Sequence, residues 1–128
     1  MNGGVKLETS KAEERIQRFN QAFLTGDADF IIDNVAEDVY WELVGETTLY
    51  SKQEVTKLFE PMRGVKAEEH QMETMITQGN QAIVQGTMLM PDGSGGKKRF
   101  AFCDIYTFKN ETSDQVQSLK AFLIELKE

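Results

Sequence analysis

KKRFAFCDIYTF, residues 97–108, leaves this chain few folds to choose from. The run is rich in aromatic and β-branched residues. It lies between a Gly-rich stretch, Pro91 to Gly96, and a polar one, Lys109 to Asp114, and so reads as a β-strand. In a strand, alternate side chains share a face. Phe100, Phe102, Asp104, Tyr106 and Phe108 therefore lie together, with one carboxylate on the most aromatic face in the chain. Either that face is solvated and Asp104 is ordinary, or it lines a closed cavity in which a carboxyl group needs a partner or a task.

The elements before this strand supply the other layer. Ser10-Lys11-Ala12-Glu13 is a capping box that starts a first helix, with Ile16, Phe19 and Phe23 on one stripe and Gly26 at its end. Asp27 caps a short second helix carrying Phe30, Ile31 and Val35, expected to run out near Glu37 and Asp38. VYWELVG follows as the first strand, with Tyr40, Glu42 and Val44 on one face and Val39, Trp41 and Leu43 on the other. A second capping box, Ser51 to Glu54, opens a third helix with Val55, Leu58, Phe59 and Met62 on its apolar stripe and Pro61 near its end. From His70 onward the pattern turns to strands: HQMETMITQ, QAIVQGTMLM, and then the strand of Asp104. In the tail, QVQSLKAFLIELKE, the residues Val116, Leu119, Leu123 and Leu126 also fit a helix, so periodicity leaves that segment open. Three helices with one early strand among them, followed by antiparallel strands, imply α+β architecture with helices on one face of a curved sheet.

Composition closes off several functions. A chain of 128 residues is the size of a single domain, expected over residues 10–128 behind a disordered tail over residues 1–9. A net charge of −7, with 14 basic against 21 acidic residues, disfavours nucleic acid as a partner. No apolar stretch approaches the ~20 residues of a membrane span. One cysteine and no signal-like start point to a cytoplasmic protein.

Glu42 and Asp104 are the two carboxylates predicted to lie inside apolar strands, where a charged group either faces water or sits in a specialised pocket. The bland alternatives are an edge-strand Glu42 in solvent and an Asp104 accepting a backbone or tyrosine hydrogen bond. His70, beside Glu68 and Glu69, does not make the convergent ligand set of a metal site. Cys103 falls on the face opposite Asp104 with no cationic neighbour on its own side, and reads as packing. Ser94-Gly95-Gly96-Lys97-Lys98 leads into a strand rather than a helix, so it is a hairpin loop and not a phosphate cradle. Met72, Met75, Met88 and Met90 suit an adaptable core or the wall of a pocket for apolar ligands.

Four segments, RFNQAFLTGDADFI, AEDVYWELVG, FCDIYTF and VQSLKAFLIEL, together resemble the nuclear transport factor two-like superfamily, in its SnoaL-like and ketosteroid isomerase-like branch. The resemblance implies a strongly curved mixed or antiparallel sheet wrapped around three N-terminal helices, a cone-shaped, cystatin-like α+β barrel with an internal pocket. It also implies that the ambiguous tail is the last strand. Ketosteroid isomerase combines an aspartate base, an oxyanion-hole tyrosine and a protonated aspartic acid donor. The match puts Glu42 at the base position, Asp104 at the donor position, and Phe19 where the family tyrosine stands. Phe19 cannot donate a hydrogen bond, and one such donor can be worth roughly 2.7–4 kcal/mol in the transition state. Phe19, Tyr40, Phe102 and Tyr106 are implied as substrate-binding residues. The family reading implies a small-molecule pocket protein, an isomerase, cyclase or dehydratase with a carboxylate base acting on a small apolar carbonyl or hydroxyl compound, without metal or cofactor. Its alternative is a non-catalytic ligand-binding or dimeric interaction module, the homodimer forming through the outer face of the sheet.

Overall fold

The computed structural model describes residues 11–127. The Ser10 end of the first capping box and the expected tail over residues 1–9 lie outside the described residues. Helix α1 spans Lys11–Thr25 and α2 spans Ala28–Asp33. Strands β1 (Val35–Leu43) and β2 (Thr47–Leu49) precede α3 (Lys52–Phe59), which runs into a short 3-10 turn over Glu60–Met62. The chain finishes with β3 (Glu69–Gln78), β4 (Gln81–Pro91), β5 (Lys97–Phe108) and β6 (Val116–Leu126). The strands form one six-stranded mixed sheet in the order β2-β1-β6-β5-β4-β3. Only β1 and β6 run parallel among the paired strands. This is the expected α+β class, a curved sheet with the helices on its concave side.

Local chemistry sets the helix ends. The Asp27 side chain accepts a hydrogen bond from Phe30 N at 3.1 Å, and Ser51 Oγ accepts one from Glu54 N at 3.2 Å. Glu54 Oε1 in turn accepts from Tyr50 N at 2.6 Å, one residue before the cap. Gly26 takes φ +71°, and a Cβ there would meet the backbone of Val65 at 2.6 Å, so glycine alone lets the α1–α2 corner touch the segment before β3. Gly86 does the same within the sheet: a Cβ would collide with the Gln71 carbonyl beside the irregular register between Met72 and Thr74. Such irregularities bend strands, which is how the sheet curves around the helices.

One expectation changes here, while the tail, left open by periodicity, takes the strand that the resemblance implies. The second helix stops at Asp33 rather than near Asp38, because Val35 pairs with Val116 and the Asn34 carbonyl accepts from Val116 N at 2.8 Å. Val35, Ala36 and Val39 are buried as strand residues of the core. The tail is β6, paired along its length with β5 and also with β1. Two flanking strands outweigh a helical periodicity that would have left each of them with an unpaired edge. The core gathers Ile16 and Phe19 of α1, Trp41 of β1, Val55 of α3, and Tyr106 and Phe108 of β5. No helix among the described residues is long and apolar enough to cross a membrane.

Candidate functional site

Register decides which side chains meet. Leu43, Ala121, Asp104 and Val84 stand side by side across β1, β6, β5 and β4 on the concave face. Above them the helices leave a cavity of about 210 Å³. Its wall includes Phe23 of α1, Trp41 of β1, Phe59 of α3 and Phe102 of β5, with Met88 and Met90 of β4. Trp41 packs on Phe23 and Phe59, at ring separations of 5.8 and 5.6 Å. The polar side chains of this wall are few: Asp104, the Asn20 amide and the Trp41 indole N–H.

Among the described residues, Asp104 is the only acidic or basic one lining the cavity. Its carboxyl makes no hydrogen bond or ion pair with another described residue, and loss of hydration raises its pKa to about 7. Beside it on β5, the Tyr106 phenol is fully buried and pushed well above its ordinary value, first by burial and then by the Asp104 charge. Trp41 Nε1 and Tyr106 Oη are buried without a hydrogen-bond partner among the described residues. Asn20 is itself 5% exposed, and its amide has no hydrogen bond to another described residue.

The expected site residues separate. Asp104 and Phe102 line the cavity. Tyr106 lies in the wall behind it, edge-on to Phe19 at 5.5 Å and stacked on Phe108. Phe19 is core, in contact with Phe23, Phe30 and Tyr106, and does not line the cavity. Glu42 and Tyr40 are corrected outright: both lie on the convex face, where Tyr40 is 43% exposed and its hydroxyl donates to Glu42 Oε1 at 3.2 Å. Glu42 pairs in register with Thr48 and Lys120, away from the cavity. Strand alternation forces the choice, since burying Trp41 and Leu43 inward turns Glu42 and Tyr40 outward. The expected base and acid are therefore on opposite faces of the sheet. Phe23, Trp41 and Asn20 went unassigned as site residues in the sequence. A polar Asn20 four residues after Ile16 and three before Phe23, on the apolar stripe of α1, was the available signal.

His70 is exposed on β3, and among the described residues no three His, Cys, Asp or Glu side chains converge to hold a metal ion. Cys103 is a free, partly buried thiol on the convex face, pushed upward by burial and by Asp104.

Residues 16–112 match the family model of the SnoaL-like domain. No curated protein matches the chain by sequence. Among solved structures the chain is similar to a nuclear transport factor two-like protein of unknown function from Cytophaga hutchinsonii, at 20% identity and a TM-score of 0.66 over 88% of this chain and 99% of that one. It is also similar to an LEH-like epoxide hydrolase of M. tuberculosis, at 17% identity and a TM-score of 0.73 over 88% of this chain and 81% of that one. A third similar structure is the epoxide hydrolase/cyclase-like enzyme SalBIII of pyran ring formation in the polyether salinomycin, at 17% identity and a TM-score of 0.74 over 88% and 90%. At these identities the structures speak for the fold, while the family model covers most of the sequence: the chain belongs to the SnoaL-like family, of nuclear transport factor two-like fold.

Proposed function

We propose that this protein is an acid–base enzyme in which Asp104 alone moves the proton, catalysing isomerisation or intramolecular ring closure of a small uncharged compound. The supporting observation is a lone carboxyl group in an apolar cavity, with a pKa of about 7 and no competing hydrogen bond. A proton-transfer group works best when its pKa lies near the working pH. One carboxyl suffices when the reaction returns each proton it takes. In isomerisation the anion removes a proton beside a carbonyl and redelivers it to another carbon. In ring closure the acid protonates a departing or opening oxygen, and the resulting anion accepts the proton of the attacking hydroxyl. Asn20 is the side chain available to donate to the substrate oxygen, the role that Phe19 cannot fill. Two of the similar structures, an LEH-like epoxide hydrolase and an epoxide hydrolase/cyclase-like enzyme, agree with proton transfer to oxygen in such a pocket. Glu42 has no part in this chemistry.

The direct assay follows conversion of a β,γ-unsaturated cyclohexenone to its conjugated isomer by ultraviolet absorbance, and ring closure of a short hydroxy-epoxide by chromatography. The wild type accelerates at least one of them, Asp104→Asn lowers that rate by about 10²–10⁴-fold, and Glu42→Gln leaves it unchanged. Equal rates for Asp104→Asn and wild type would remove the proposal.

The convex face supports a second reading, a homodimer in the reducing cytoplasm, where the unpaired Cys103 is at home. Ile76 and Ile124 are 56% and 63% exposed on that face, and Ile76, Ile83 and Ile105 align across three strands. Such an apolar surface is suited to a second copy of the sheet.

A further inference from the structure

The same cavity restricts which molecules can enter it. We infer that it takes an uncharged compound of about ten non-hydrogen atoms bearing a single oxygen function, and excludes organic ions and four-ring skeletons. The inference shares the Asp104 cavity with the proposed function but does not depend on turnover.

Charge gives the first restriction. Among the described residues no Lys, Arg or His lines the cavity, so an anionic ligand would meet Asp104 with no cation to neutralise it. An ammonium ligand is the serious competitor, because Phe23, Trp41, Phe59 and Phe102 offer ring faces beside a carboxylate. An ammonium brings three donors into the site. Pairing it with Asp104 would strip both ions of water in an apolar cavity, and the attraction repays that cost only with well-placed hydrogen bonds, whereas a neutral ligand with a protonated Asp104 avoids it. A neutral ketone, ether or epoxide needs only one donor, which the protonated Asp104 supplies. Met62 and Leu123, also in the wall, are 41% and 44% exposed, so its solvent-facing part is apolar as well.

Volume gives the second restriction. A cavity of 150 Å³ lined by aliphatic and aromatic side chains holds benzene, whereas pockets for drug-sized ligands span roughly 300–1,000 Å³. At about 210 Å³ this cavity admits a molecule somewhat larger than benzene and no four-ring skeleton. Met88 and Met90 let the wall adapt to its outline.

Protonation follows from the surroundings of Asp104. Facing it are Asn20 and Phe23 of α1, Trp41 and Leu43 of β1, Val84 and Met88 of β4 and Ala121 of β6, none of which titrates in the neutral range. The Tyr106 phenol stays protonated there, and Cys103 points to the other face. Binding of a neutral acceptor is thus tied to the proton on Asp104 itself.

Trp41, the only tryptophan in the chain, reports binding by its fluorescence. The probes are the bicyclic ketone decalone, the decalin ammonium and decalin carboxylate analogues, and a four-ring neutral ketone. Decalone is expected to bind best, to weaken by up to about tenfold per pH step of one above neutrality, and to lose that pH dependence in Asp104→Asn, whose amide does not titrate. Ala121→Leu, which fills the cavity opposite Asp104, is expected to lose it. Tighter binding of the ammonium, with affinity rising through the same pH range, overturns the inference, as does saturable binding of the four-ring ketone. Should Ala121→Leu not fold, the competition among the four probes on wild-type protein decides. Decalone binding without proton transfer in the cyclohexenone and hydroxy-epoxide assays removes the proposed catalysis and leaves this inference standing. Turnover of a charged or four-ring compound does the reverse.

Discussion

Asp104 costs the fold something, and that cost has a pH signature. The carboxyl titrates near 7 in the native state and near ~3.9 in an unfolded chain. Between those values the native state holds more protons than the unfolded one, so the contribution of Asp104 to stability falls as pH rises from about 4 to about 7 and stays low above that. The full gap corresponds to as much as about 4 kcal/mol. An amide has no such titration. Urea unfolding near pH 5 and near pH 8 should show the wild type losing about 3 kcal/mol relative to Asp104→Asn between the two. Parallel behaviour of the two proteins would mean that the carboxyl is hydrated in the native state. At this scale local pattern and tertiary packing contribute separately. Asp104 was placed on its aromatic face by period-two alternation, which needs no tertiary information. The same alternation correctly split Glu42 from Trp41, but which of those two faces was inward depended on where the helices would lie.

Among the elements, α1 is held to the sheet by a buried arginine. Arg15 is 6% exposed; its Nη1 donates to the Glu111 and Ser113 carbonyls at 2.8 and 2.7 Å, and its guanidinium lies 4.2 Å from the Phe108 ring centre. It thereby ties the start of α1 to the β5–β6 connection. Hydrogen bonds from a charged group contribute about 1.5–3 kcal/mol each, and their loss leaves carbonyls unsatisfied. Arg15→Met, which keeps most of the apolar stem, should lower the unfolding free energy by about 3 kcal/mol in urea titration. A loss below about 0.5 kcal/mol would show the contacts to be replaced by water at no cost. The helix caps at Asp27 and Ser51 were legible because they are set within four residues. The end of α2 and the state of the tail were not, because Val35 and Val116 pair with each other across the whole chain.

At the scale of the molecule, the two faces of the sheet have different fates. The concave one is covered by α1 and α3 and keeps the Asp104 cavity, while the convex one leaves Ile76 and Ile124 exposed. If two copies cover each other there, analytical ultracentrifugation should show a dimer at micromolar concentration, and Ile124→Lys should shift it to monomer without changing the circular dichroism spectrum. A wild type that sediments as a monomer in that range would remove the dimer. Tyr40 and Glu42 would then be plain surface residues, and with a dimer they would lie on or beside its interface.

Composition and periodicity by themselves determined the class of fold, the capped starts of α2 and α3, the strand of Asp104 and the face on which its carboxyl lies, because each of these follows from neighbours a few residues away. Only the tertiary structure decided that β6 is a strand, that Glu42 stands outside, and that Asn20, Trp41 and Asp104 share one cavity. Those outcomes depend on register between distant strands and on where α1 and α3 rest against the sheet, which no local pattern contains.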